Sequence, residues 1–204
     1  MPRETQPTTD QPYLRRAGGL VLADGSHLAW SCADGSRGRR WRAVLTSGSG
    51  PTPATILESL LLEVDLDGRP ARLELATPAG MLTLHPSADG LELHGNIVPA
   101  TGEGVEGLRL RWGPAHELDI AGLHLAIAVG LQRRRDGVVI GRTIQVDLVV
   151  VGPDLDVGPA RRRIRRVGQG SWLVLGAPGL PDQVIELQTN GLPAGGVEEP
   201  LETD

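Results

Sequence analysis

Phenylalanine is absent from the 204 residues, lysine does not occur, Tyr13 is the single tyrosine and Cys32 the single cysteine. Each absence removes a class of chemistry. A Walker phosphate loop needs its Lys and a Schiff-base enzyme needs an amine, so both are excluded by residue inventory alone. One cysteine permits neither an internal disulfide nor the paired Cys-x-x-Cys spacings that hold zinc or exchange thiols, and Cys32 reads as a small buried thiol. Without Phe, the core must be built from Leu and Val, with Trp30, Trp41, Trp112 and Trp172 as its large anchors. Residues 1–16 hold no apolar run of the length a secretory signal requires, and no later stretch approaches a membrane span. The sequence therefore predicts a cytoplasmic chain with no transmembrane segment.

Every permanently cationic side chain is Arg, and the formal net charge is -5. That balance argues against a general nucleic-acid coat. The one dense basic stretch, Arg161 to Arg166, is able to meet phosphates, but it reads first as the solvent face of a strand beside acidic neighbours. No nucleic-acid partner is expected.

What is plentiful is turn chemistry. Five Asp-Gly pairs and one Asn-Gly punctuate the chain: Asp24-Gly25, Asp34-Gly35, Asp67-Gly68, Asp89-Gly90, Asp136-Gly137 and Asn190-Gly191. These dipeptides tolerate the positive φ angles that close tight hairpins. Most lie between segments of alternating apolar residues. Leu60, Leu62, Val64 and Leu66 share one face; Leu73 and Leu75 alternate with Arg72 and Glu74; Leu82 and Leu84 oppose Leu91 and Leu93 across a turn; Leu108, Leu110 and Trp112 alternate with Arg109 and Arg111. The pattern predicts an all-β chain, an antiparallel meander curling into a partly closed sheet or half-barrel. One β domain over residues 17–192 is expected, between a flexible segment 1–16 and a flexible acidic tail 193–204. Gly48 to Pro53 reads as a surface loop, followed by a short helical turn at Ala54 to Glu58.

The segment Leu123 to Leu131 is apolar enough to suit a buried helix, but its alternation favours a strand. Leu123, Leu125, Ile127, Val129 and Leu131 fall on one face and His124, Ala126, Ala128 and Gly130 on the other. An Arg-rich turn at Arg133 to Gly137 then leads into Val138 to Val151, so the pair predicts a long hairpin. Its small-residue face has two readings: close sheet-on-sheet packing, which is the default, or room for a ligand inside a curved sheet.

Gly102, Gly104 and Gly107 have the letters of a dinucleotide fingerprint, but a strand follows them and Glu103 and Glu106 would repel a pyrophosphate. An ordinary turn is expected and no cofactor is implied. His116, Glu117, Asp119 and His124 are the densest set of metal-ligand types. In an extended chain Glu117 and Asp119 part from His116 and His124, so no metal site is expected. The Gly-x-Ser-x-Gly elbow is missing, and the pairs Asp65 with Asp67 and Asp154 with Asp156 flank turns, where they suit solvated hairpin ends. The chain therefore reads as a non-enzyme.

The C-terminal third adds a likeness. Val146 to Pro159 reads Val-Asp-Leu-Val-Val-Val-Gly-Pro-Asp-Leu-Asp-Val-Gly-Pro, followed by Arg161 to Arg166, Gly168 and Trp172; Asn190-Gly191-Leu192 closes the stretch from Gln183, and Glu117-Leu118-Asp119-Ile120 lies further back. This order resembles the glycolipid-binding family of small bacterial proteins over roughly Gly18 to Leu192. The chain departs from that family where Ala121 to Ala126 replaces a Thr-Pro-x-Thr-Asn-x-Leu-Pro run and Arg162-Arg163 replaces a Gln-Tyr pair. The resemblance implies a curved β-sheet akin to lipoprotein carriers, with a concave apolar face. On this reading the chain binds an amphipathic or apolar ligand, with a lipid or glycolipid as partner. Its expected lining is Ala126, Ala128 and Gly130, with His124 and Trp112 near a mouth. The alternative is a protein-interaction or scaffold module with a closed core, which a solid interior would favour.

Overall fold

In a computed structural model, the structure describes residues 15–22, 24–48, 54–120, 123, 125–176, 182–188 and 197–200. The chain is all-β but for one short helix. Eight strands follow one another as β1 (Arg15–Val21), β2 (His27–Gly35), β3 (Gly38–Thr46), β4 (Ile56–Val64), β5 (Pro70–Thr77), β6 (Gly80–Pro86), β7 (Glu92–Pro99) and β8 (Glu106–Arg111). Each pairs antiparallel with the next, which is the predicted meander. Asp67-Gly68 and Asp89-Gly90 close their hairpins with Gly68 at φ 74° and Gly90 at φ 69°. Asp34-Gly35 instead ends β2, and the turn itself is Ser36-Arg37. The glycines at 102 and 104, both at positive φ, bend the β7–β8 connection. Asn190-Gly191 lies outside the described residues.

A second sheet is formed by β9 (His116–Ile120), β10 (Thr143–Val151), β11 (Val157–Arg166), β12 (Ser171–Leu175) and β13 (Gln183–Glu186), in the order β13-β12-β11-β10-β9. Here the expected long hairpin is corrected. The segment read as a strand is the helix α1 (Leu125–Arg134), continued by a 3₁₀ turn over Arg135–Gly137 that takes up Asp136-Gly137. With a helix between them, β9 and β10 lie parallel, Asp147 opposite His116. The physical reason is that both parities of 123–131 are apolar, so alternation does not separate a strand from a helix buried all round, and an Ala-containing run favours the helix. The expected helical turn at Ala54–Glu58 is likewise replaced, by the start of β4.

The tail also departs from expectation. Residues 197–200, read as part of a loose acidic end, form β14 (Val197–Pro200) and pair antiparallel with β1, covering an otherwise open sheet edge. Similarly, Arg15 and Arg16, assigned to the flexible N-terminal segment, begin β1.

Two apolar clusters fill the interior. The first joins the inner face of the large sheet, with Trp30, Trp41, Leu62, Leu75 and Leu84, to Leu118 and Ile120 of β9, Leu123 of the segment before α1, Ala126 of α1, and Val149 and Val151 of β10. The second packs Ile127, Ala128 and Leu131 of α1 on the other face of the small sheet, against Val146, Leu148, Ile164, Trp172 and Val174. Thus α1 is wedged between both clusters. Cys32 is buried in the first, and burial pushes its thiol up to about 12, which removes the nucleophilic thiolate at neutral pH. Among the described residues no helix is long and apolar enough to cross a membrane.

Candidate binding groove

Of the five residues expected to line a ligand, the four that the structure describes, Trp112, Ala126, Ala128 and Gly130, do not converge. Ala126 and Ala128 are both buried, but they point into different clusters. Gly130 is packed under the Glu117 carboxylate, and His124 lies outside the described residues. Trp112 is buried with its ring 5.6 Å from that of His116. The small-residue positions thus serve packing of the helix, and the inner face of the large sheet is covered by Leu118, Ile120, Leu123, Ala126, Val149 and Val151.

Open space lies instead at one end of the large sheet, where hairpin turns meet α1. A groove of about 580 Å³ runs between the β2–β3 hairpin, the β4–β5 turn and the helix. Trp41, Val64, Leu66 and Val129 give it an apolar wall, and Asp34, Arg39, Asp65, Gln132 and Arg133 give it a polar rim. Leu66 stands 78% exposed at its lip. Gly38 is what brings the hairpin close enough: a Cβ there would lie 1.9 Å from the Val64 carbonyl oxygen, and its φ is 133°.

The rim is ordered by local pairing. Arg39 Nε donates to Asp34 Oδ1 at 2.5 Å, and its guanidinium lies 5.8 Å from the centre of the Trp41 ring. Asp65 Oδ1 accepts from the backbone N–H groups of Asp67 and Arg69 at 3.0 and 2.8 Å, which fixes the turn. Arg133 is held by an ion pair with Glu117, whose side chain is 1% exposed and also accepts from Arg134 Nε at 2.6 Å. Trp41 Nε1, Gln132 Oε1 and Arg133 Nε are buried without a hydrogen-bond partner in the protein, and all three belong to residues of this groove. Trp30 and Trp172 also leave the indole N–H unpartnered, but neither lines it.

A smaller recess of about 240 Å³ adjoins, lined among others by Trp112, His116 and Arg69. Asp65 and Arg133 line both spaces and divide them. The arrangement suits a ligand with one apolar and one hydrogen-bonding part, since donors and acceptors surround an aliphatic wall.

Among the described residues no three His, Cys, Asp or Glu side chains gather as metal ligands would. Glu117 faces α1 and is spent on two arginines, while His116 faces the recess. Sequence reasoning missed Arg39, Leu66, Val129, Gln132 and Arg133, because the groove joins turns and a helix that are far apart in the chain. Leu66, an apolar residue directly before an Asp-Gly turn, was the available signal.

No family model matches the chain, and no curated protein does. Among solved structures, the crystal structure of a DUF1089 family protein from Pseudomonas aeruginosa is similar, with 17% identity and a TM-score of 0.48 over 96% of this chain and 95% of that one. At that level the likeness carries no functional assignment.

Proposed function

We propose that the chain is a non-enzymatic binding protein for an amphipathic ligand, glycolipid-like in having a hydroxylated head and an aliphatic part, and that the ligand sits in the groove beside α1 rather than within the sheet. The supporting observation is the groove of about 580 Å³ in which the polar side chains of Asp34, Arg39, Asp65 and Gln132 stand beside the apolar wall of Val64, Leu66 and Val129. A hydroxylated head takes up donors and acceptors of that kind, and the aliphatic part gains about 25 cal/mol for each Å² of apolar surface it removes from water, before binding costs. The two rim arginines, Arg39 and Arg133, are held in ion pairs, which suits orientation of a ligand.

Thermal unfolding with n-octyl glucoside below its micelle concentration tests the reading, with glucose and n-octanol as controls. At a ligand concentration about 100 times Kd the expected stabilisation is about 2.7 kcal/mol, several degrees in Tm. Val129→Arg, which fills the groove, abolishes the shift. Equal shifts from n-octanol alone, or none from the glucoside, count against it.

A second reading, a protein-interaction module, is favoured by the filled interior, in which both apolar clusters are closed. It predicts no shift with any of the three small molecules.

A further inference from the structure

The smaller sheet carries an apolar tip that nothing in the groove explains. Val139 and Ile140 are 69% and 50% exposed in the loop before β10, and Val167 is 45% exposed in the loop after β11. The three are β-branched and stand on adjacent turns, which gathers exposed apolar side chains at one tip instead of scattering them.

Arg166 holds the two loops together. Its Nη1 donates to the carbonyl oxygens of Arg135 and Val138 at 2.6 and 2.7 Å, while Nε and Nη2 donate to those of Gly168 and Gln169, both at 3.1 Å. The guanidinium also lies 5.8 Å from the centre of the Trp172 ring. Backbone bonds complete the clasp, from Gly141 N–H to the Arg166 carbonyl at 2.7 Å and from Arg166 N–H to the Arg142 carbonyl at 3.1 Å. The tip is therefore preorganised.

Arginines follow the tip on both strands, and Asp136, 96% exposed, is the one carboxylate of the 135–142 loop. Arg142, Arg163 and Arg165 are exposed and form no ion pair among the described residues, whereas Arg161 is paired with Asp147. The register sets Arg165 opposite Leu173 and Leu173 opposite Val184, so an exposed valine continues the same face. Unpaired cations around aliphatic side chains, in a chain of net charge -5, complement a surface that is anionic outside and apolar just beneath. No aromatic ring stands among these residues to stack on bases, which disfavours single-stranded nucleic acid.

We infer that this tip docks the protein on an anionic lipid bilayer, with Val139, Ile140 and Val167 entering the interface and Arg142, Arg163 and Arg165 meeting the headgroups. Flotation of the full chain with phosphatidylcholine vesicles, with and without phosphatidylglycerol, tests it. The protein floats with the anionic vesicles only and is released by salt. Arg163→Gln with Arg165→Gln weakens binding roughly fivefold per arginine, and Val139→Ser with Ile140→Ser also releases it. Both pairs are on the surface, so unchanged melting separates loss of docking from loss of fold. No preference for anionic vesicles, or wild-type binding by both variants, overturns the inference. So does arginine-dependent binding to a single-stranded oligonucleotide without binding to vesicles.

Discussion

Gly130 of α1 lies directly on the Glu117 carboxylate of β9: a Cβ built at 130 would meet Oε2 at 2.3 Å and Cδ at 2.7 Å. Helix propensity alone favours alanine here by about 1 kcal/mol. The contact opposes it, because Glu117 is buried and pinned by Arg133 and Arg134 and has nowhere to withdraw. Gly130→Ala is therefore expected to destabilise by about 1–3 kcal/mol in urea unfolding. A stabilised variant would show that the helix packs differently.

Glu117 itself sits between two arginines that are each about four-fifths buried. Glu117→Ala leaves both cations without their carboxylate, and the expected loss is about 3–5 kcal/mol. Arg134 keeps its 2.7 Å bond to the Ala115 carbonyl, so Arg133 at the groove is the side chain released. Ligand binding should fall with stability, as urea titration with and without octyl glucoside will show.

Glu58, on the inner face of β4 opposite Leu45, is buried with Oε2 unpartnered, and burial raises its carboxyl from 4.5 to about 7. A raised acid favours the protonated folded form. Its contribution is intact below pH 4.5, is lost as pH climbs to about 7, and is flat beyond. Relative to Glu58→Gln, the wild type should lose about 3 kcal/mol across that window. A difference that is constant with pH contradicts the burial argument.

Arg166 bonds four carbonyls from two loops. A lysine ammonium lacks the planar fork needed to reach them all, so Arg166→Lys should cost about 2 kcal/mol and speed hydrogen exchange in residues 135–142 and 167–170. Unchanged exchange in both loops would refute the clasp.

The meander was legible because its strands keep a period of two with one dry face, and because Asp-Gly turns carry their own backbone requirement. The helix was not. From Leu123 to Leu131 large residues alternate with small ones, yet Ala126, Ala128 and Gly130 are buried as well as Leu123, Ile127 and Leu131, so alternation did not separate a strand from a helix packed on more than one side. Glu58 was hidden for a related reason: an apparent helical turn at Ala54–Glu58 masked a strand that points a carboxylate inward. The groove was less legible still. Arg39, Leu66 and Arg133 come from a hairpin, a turn and a helix that only the folded chain brings to one groove.

The location of the ligand is the claim on which the functional account stands. Four tryptophans give four indole N–H signals in a ¹H–¹⁵N spectrum, and Trp41 is the one whose ring lines the groove, while Trp172 lies in the other cluster. Titration with octyl glucoside should move the Trp41 indole signal, assigned with Trp41→Phe, together with the amides of residues 34–39, 65–68 and 129–133, and leave the Trp172 indole in place. A stationary Trp41 signal, with shifts elsewhere or none at all, would contradict the account.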